Sequence, residues 1–207
     1  MGNAVGSLVI SNVVRARKNL LLEMSDQQKE VLLGSILGDA YITKSGKIRF
    51  EQGIKNKDYL FWLYSILSSL AYAAEPRSMS RYNEKYGKRY ASFRFSLRQY
   101  FKNWRLYFYP ADRKIFPEDI SLTPLTLAVW YMDDGCWTGS KAIISIEGFD
   151  DESQNRIQTA LQAQYGIETV IGKNRKLVIR KKHHERFFGL IRSHVVASMA
   201  YKIPITP

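Results

Sequence analysis

One cysteine and three histidines in 207 residues leave little room for disulfide or soft-metal chemistry. Cys136 alone cannot form an internal disulfide. A Cys-based zinc cage or a His-rich metal site lacks ligands, because His183 and His184 are neighbours and only His194 remains. No apolar run approaches the ~20 residues that a membrane helix needs, so a membrane partner is not expected. Acidic residues are also scarce, 19 against 31 Lys plus Arg, which gives a net charge of +12. A hydrophobic content of 45% argues for a folded globule, either one domain or two small halves sharing a core.

The positive charge is concentrated. Residues 77–114 carry 11 basic and 2 acidic side chains, and residues 172–186 carry 7 and 1. Fields of one sign suit a polyphosphate partner, because each neutralised phosphate releases counterions.

A short pattern occurs twice, half a chain apart. LLGSILGDA at Leu32–Ala40 and LAVWYMDDG at Leu127–Gly135 are apolar helical windows that end on Asp39 and Asp134 at equivalent places. A carboxylate at the tip of an apolar helix is costly to bury unless it is paired or binds a cation. Two such tips brought together repel, and a hard divalent cation with oxygen ligands removes the repulsion. Ser25 with Gln28 has capping-box form, and Thr123-Pro124 supplies an N-cap and a proline at the first helical position. Gly34, Gly38 and Ala128 are small enough for the two helices to pack closely along a seam between the halves.

Each motif helix is followed by a predicted hairpin, a helix, a second hairpin and a closing helix. The first hairpins are 40–43 with 47–52, and 136–139 with 142–147. The middle helices cover 56–70 and 150–165. The second hairpins are marked by the strand 90–98, and by 168–171 with 176–181. The closing helices are 99–107 and 184–193. In 90–98, period two sends Ala91, Phe93, Phe95 and Leu97 to one face, and Tyr90, Ser92, Arg94, Ser96 and Arg98 to the other. The outward set can read base edges or hold phosphates. The fold expected is α+β: tandem αββαββα repeats related by a pseudo-twofold axis. Two antiparallel four-stranded saddle sheets flank two motif helices packed at the interface, and the basic, polar sheet faces are suited to a duplex. The halves are 25–110 and 123–207, with a linker at 111–122. Residues 1–24 form an N-terminal extension without acidic residues before Glu23. It reads as an organellar targeting segment, an amphipathic arm or a remnant of upstream coding sequence.

The chain resembles the LAGLIDADG homing endonucleases of the single-chain, two-motif kind, exemplified by the omega-intron mitochondrial enzyme. The likeness is carried by LGSILGDAYI at Leu33, KNKDYLFWLYSIL at Lys55, KIFPEDISLTPLTLAVWYMDDG at Lys114 and MAYKIP at Met199. It implies a site-specific endonuclease that binds a long double-stranded DNA target as a monomer and cuts both strands with Mg²⁺. Mn²⁺ is expected to substitute, and Ca²⁺ to bind without cleavage. Asp39 and Asp134 would be the metal-binding carboxylates, joined by the carbonyls of Gly38 and Asp133. Lys114 and Lys202, each just ahead of a proline late in its half, match the family's central basic residues. The Asp133 side chain reads as a helix cap or as support for the ligands.

Internal symmetry adds Gln52 and Glu147, each thirteen residues after its aspartate, as groups that orient attacking water. Gln52 shares strand parity with Ile48 and Phe50, so Glu51 is an alternative solvent-facing candidate. DNA contacts are expected from Lys47 and Arg49 in the first hairpin. The segment 81–94 adds Arg81, Tyr82, Lys85, Lys88, Arg89, Tyr90, Ser92 and Arg94. The second half adds Lys141, Lys173, Arg175, Lys176 and Arg180. An RNA-binding intron maturase of the same fold is the alternative function, with intron RNA as partner, and the resemblance points to an organelle, mitochondrion or chloroplast.

Overall fold

The computed structural model describes residues 10–17 and 20–205. Its organising feature is a pair of central helices, α1 (Asp26–Leu37) and α4 (Pro124–Asp134). The Ser25 hydroxyl accepts from the Gln28 N–H at 3.1 Å, and the Ser25 N–H donates to Gln28 Oε1 at 3.1 Å, a complete capping box. Thr123 Oγ1 accepts from the Thr126 N–H at 3.1 Å and starts α4. Residues 31–37 and 125–132 are buried all round, the signature of helices at the centre of a protein. Their backbones approach so closely that a Cβ on Gly34 would lie 2.5 Å from the Thr126 carbonyl oxygen and 2.7 Å from Val129 Cβ.

Two four-stranded antiparallel sheets flank this pair. The first contains β3 (Tyr41–Ile42), β4 (Ile48–Gly53), β5 (Arg77–Asn83) and β6 (Lys88–Ser96), in the order β3-β4-β6-β5. The second contains β7 (Gly135–Trp137), β8 (Ala142–Ser145), β9 (Thr169–Ile171) and β10 (Lys176–Ile179), in the order β7-β8-β10-β9. Identical order in two consecutive units is the pseudo-twofold repeat expected from the motif copies. Middle helices α2 (Lys57–Leu67) and α5 (Asp151–Tyr165) and closing helices α3 (Lys102–Phe108) and α6 (His184–Ile191) complete the halves, which share one hydrophobic core. Among the described residues, no helix is long and apolar enough to cross a membrane.

Several boundaries differ from the sequence reading. The strand β5 carries no apolar alternation, and all seven of its residues lie at least partly in solvent, so hydrophobic pattern could not mark it. The strand expected to reach Glu147 stops at Ser145, because Phe149 N–H turns back to the Ile146 carbonyl. Part of the N-terminal extension, residues 10–17 and 20–24, joins the fold. Within them β1 (Val13–Arg17) and β2 (Leu20–Glu23) pair as a hairpin that buries Val14 and Met24 against the core. Residues 1–9 and 18–19 of the proposed targeting segment lie outside the described residues.

The two outward sheet faces are unlike. Register places Arg49, Glu51, Ser92, Arg94, Arg77 and Arg81 on one face of the first sheet, while Ile48, Phe50 and Phe95 point into the core. The corresponding face of the second sheet carries Cys136, Ile143, Ser145, Val170, Lys176 and Val178. This corrects the expectation of two basic faces, since the second sheet keeps most of its positive charge in turns and at strand ends.

Candidate active site

Both central helices end in the same arrangement. Each leaves C-terminal carbonyls without intrahelical partners, and a lysine from late in its half satisfies them. Lys114 Nζ donates to the Leu37 and Gly38 carbonyls at 2.8 and 2.9 Å, and Lys202 Nζ donates to those of Met132 and Asp133 at 2.5 and 2.9 Å. A cation at a helix C-terminus also complements the macrodipole. The Tyr131 hydroxyl fastens the second lysine's segment by donating to the Lys202 carbonyl at 2.9 Å.

The carboxylates meet between these lysines. Gln52 Nε2 donates to Asp39 Oδ2 at 2.8 Å and lies 3.5 Å from Asp133 Oδ1. The Asp39 N–H donates to Asp133 Oδ2 at 3.3 Å. The Asp133 carboxylate therefore accepts from the backbone just past the end of the opposite helix rather than capping its own, which corrects the cap expected from sequence. Gly38 makes this possible: a Cβ there would sit 2.5 Å from Asp133 Cβ and 2.6 Å from Oδ2.

Crowding of like charge dominates the electrostatics. Burial and then Asp39 push the Asp134 carboxyl up to about 6, against the opposing pull of Lys114. Asp133 is raised well above the carboxylate range by the same two causes. Burial lowers the Lys114 ammonium to about 8 and lowers Lys202 too, although the three aspartates favour their charged forms. Tyr59, buried beside Asp133, is held protonated by burial first and the aspartates second, and its hydroxyl reaches the Val129 carbonyl at 3.4 Å. Its position within the α2 core stripe gave no sign of this location.

The donor set suits a hard cation. Among the described residues no group of three or more His, Cys, Asp or Glu side chains forms a cage. A cation would rely on Asp39 and Asp134, on carbonyl oxygens and on water, which is the ligand habit of Mg²⁺. The Gly38 and Asp133 carbonyls each accept from a lysine, and a carbonyl oxygen retains a second lone pair.

The remaining candidates separate. Gln52 belongs to the centre: its inward parity, which looked inconsistent, aims it at the helix tip where the buried face of β4 ends. Glu51 does not belong there, because its carboxylate accepts from Arg94 Nε at 2.9 Å, Ser92 Oγ at 2.7 Å and Arg81 Nη2 at 3.3 Å on the outward face. Burial opposes its ionisation, but the Arg94 and Ser92 hydrogen bonds outweigh burial and hold its pKa below the usual range. Glu147 lies in the turn after β8 and pairs with Lys176 at 3.5 Å, so the two thirteen-residue spacings end in different places.

Of the expected DNA contacts, Lys47, Arg49, Arg81, Tyr82, Lys85, Lys88, Arg89, Tyr90, Ser92 and Arg94 all lie on the first sheet or its hairpin tip. Several aromatics there support cations, with Arg89 over Tyr82, Lys85 over Tyr86 and Lys47 over Tyr72. In the second half Lys141 and Lys173 are exposed. Arg175 is tied to Asp151 at 2.6 Å and to the Phe149 carbonyl, and Arg180 pairs with Glu168 at 3.5 Å.

Comparison with known proteins agrees with this architecture. A family model described as "LAGLIDADG DNA endonuclease family" matches residues 29–187. The solved structure titled "The homing endonuclease I-WcaI bound to its DNA recognition sequence" superposes with a TM-score of 0.79 at 25% identity, covering 89% of this chain and 88% of that one. Among curated relatives, "Probable intron-encoded endonuclease 1" of Wickerhamomyces canadensis is 26% identical, over 93% of this chain and 90% of its own length. "Cytochrome b mRNA maturase bI2" of Saccharomyces cerevisiae is 28% identical over 84% of this chain and 46% of its own length. "Protein RecA" of Mycolicibacterium flavescens is 29% identical over 87% of this chain. The chain spans about half the length of the first RecA relatives, 47% in that case.

Proposed function

We propose, from the premise that this chain belongs to the LAGLIDADG DNA endonuclease family, that it is a monomeric, site-specific homing endonuclease. It binds a long double-stranded DNA target and hydrolyses one phosphodiester on each strand. The observation that carries this reading is the convergence of two acidic helix ends, each with its own partly buried lysine, at the seam of two sheet-bearing halves.

In this reading Asp39 and Asp134, with the Gly38 and Asp133 carbonyls, hold Mg²⁺ or Mn²⁺, and Ca²⁺ binds without supporting cleavage. An ion held there would supply a water of lowered pKa and offset charge on the leaving oxygen. Gln52 fixes the Asp39 carboxylate by donating to one oxygen and leaving the other available. Lys114 and Lys202 place one ammonium at each helix end, where it neutralises charge developing on a scissile phosphate. With a pKa of about 8, Lys114 stays mostly protonated at neutral pH.

Cation binding should be visible in stability. The folded-state pKa of Asp134 is raised from 3.8 to about 6, so the folded chain binds more protons in that window. Without a cation, this group's contribution to stability falls as pH rises from about 4 through 6. Thermal melts are expected to show a larger Mg²⁺-induced rise in Tm near pH 7.5 than near pH 5. Equal shifts at both pH values would contradict the assignment.

The first sheet's basic face predicts phosphate-dominated docking. For six to ten phosphate contacts, affinity should fall by about 10³–10⁵ between 50 and 200 mM salt. Fluorescence anisotropy across that range checks this, and a flat affinity would count against it.

An RNA-binding intron maturase is the second reading, favoured by the likeness to a protein named as a maturase. Two aspartates, Gln52 and two partly buried lysines gathered at one centre favour cleavage, because RNA binding alone requires none of them. Relatives named for an intron-encoded endonuclease and a cytochrome b mRNA maturase support an organellar source. A cleavage selection on randomised duplexes with Mg²⁺, run beside intron-RNA binding by the same preparation, separates the two. Cutting at one sequence supports the endonuclease, and tight RNA binding without cutting supports the maturase.

A further inference from the structure

A carboxylate in the middle of a cationic, phosphate-seeking face needs a physical reason, because it repels the backbone that the face attracts. Glu51 is such a group. It stands on the outward side of β4 opposite Arg94 of β6, with Arg81 of β5 reaching across the sheet. Both of its oxygens are engaged: Oε1 accepts from Ser92, and Oε2 accepts from Arg94 Nε, Arg94 Nη2 and Arg81 Nη2. The cluster is half-open to solvent, with the Glu51 side chain 30% and the Arg94 side chain 23% exposed. Arginine has five N–H donors, and Glu51 takes two from Arg94 and one from Arg81. The remaining donors of both guanidinium groups are left for a ligand, on forks whose orientation is already set.

We propose that Glu51 is a specificity-determining residue whose carboxylate orients the Arg94 and Arg81 guanidinium groups to read base edges in the half-site contacted by the first sheet. This inference rests on the DNA-binding reading above and extends it. A free arginine on a saddle face serves phosphate and base alike, whereas one held by a carboxylate has part of its charge compensated. Such a group is less suited to bulk phosphate attraction and better suited to directional hydrogen bonds, such as the bidentate contact of arginine with guanine O6 and N7. The pairing also has no counterpart in the second half. By strand register the position equivalent to Glu51 is Ser145, opposite Lys176, so no carboxylate stands there to orient an arginine. The predicted effect therefore falls on one half-site only.

The test is a specificity profile of the full chain on a library in which every position of its target is randomised, comparing the wild type with Glu51→Gln and, separately, Arg94→Lys. Glu51→Gln keeps the size and one acceptor oxygen, but replaces the other with an NH₂ donor and removes the charge that fixes the forks. Arg94→Lys keeps the positive charge but removes the fork. Both variants are expected to lose about tenfold or more in discrimination at the same one or two adjacent base pairs on the first-half side, with the other half-site's profile unchanged. Glu51→Gln should also steepen the salt dependence of binding, because a negative charge has left the face. A generally destabilised sheet would not confine its effect to two base pairs, and thermal melts of both variants identify that case. An unchanged profile in Glu51→Gln, or selectivity lost evenly across both half-sites, would overturn the proposal. If the wild type itself shows no sequence selectivity on any duplex, the DNA-binding reading falls and takes this inference with it.

Discussion

Replacing Asp39 or Asp134 with asparagine is expected to abolish double-strand cleavage while leaving DNA affinity within about tenfold, or 1.4 kcal/mol. The reason lies in what each carboxylate does in the folded protein. Asp134 is costly to ionise where it stands: burial first, and then Asp39, push it up to about 6. Among the described residues, neither forms a structural ion pair of the kind that Asp112 makes with Lys44 and Arg105. Asparagine keeps the volume and can still accept the Gln52 hydrogen bond, so the helix ends should stay in place. Loss of the negative charge removes a ligand, and loss of a group that stabilises developing charge commonly costs 10²–10³ in rate or more. Gel assays that resolve nicked from linear plasmid, run beside anisotropy titrations, read both quantities. Undiminished cutting by either variant would defeat the catalytic assignment. A collapse of affinity beyond tenfold would mean that the aspartates build the binding surface instead.

The largest stability effect is expected from Gly34→Ala. A methyl group there would lie 2.5 Å from the Thr126 carbonyl oxygen and 2.7 Å from Val129 Cβ. The first neighbour is backbone inside α4, so neither side can yield without parting the two central helices. Alanine would otherwise stabilise a helix by about 1 kcal/mol over glycine, so helix propensity alone predicts the opposite sign. Overpacking of this kind costs about 1–3 kcal/mol, and each kcal/mol lowers Tm by about 2–4 °C in a chain of this size. A fall of several degrees in a thermal melt is the expected result. A rise would mean that the helix seam is looser than the distances indicate. Thr126, whose hydroxyl donates to the Glu30 carbonyl at 3.2 Å, marks the same seam from the other side.

Much of this site could be read before any coordinates. Asp39 and Asp134 stood out because a repeat places the same residue at the same helix end twice, and the spacing to Lys114 and Lys202 preserved their context. Gln52 was found by the same symmetry even though its strand parity argued against it. Parity was correct, since the inner face of β4 meets the helix tip at that point. The symmetry failed at Glu147, because β8 ends two residues before it and the turn carries the side chain toward Lys176. Glu51 was misplaced because one-dimensional spacing does not tell which neighbouring strand supplies a partner, and Arg94 and Arg81 arrive from β6 and β5. The reach of Asp133 across to the Asp39 N–H depends on the missing side chain at Gly38, a contact between helices that no pattern within either helix encodes. The uneven sheet faces escaped a count of basic residues because Lys173 and Arg175 lie in a turn, and Ile143 and Val178 take the face.

The most direct measurement is anomalous diffraction from crystals of the chain with its DNA target and Mn²⁺. Mn²⁺ peaks are expected at the Asp39 and Asp134 carboxylates, with Gln52 still on Asp39 and each lysine near a helix end. Peaks confined to other acidic residues, or none at this centre in crystals whose DNA has been cut, would contradict the metal assignment.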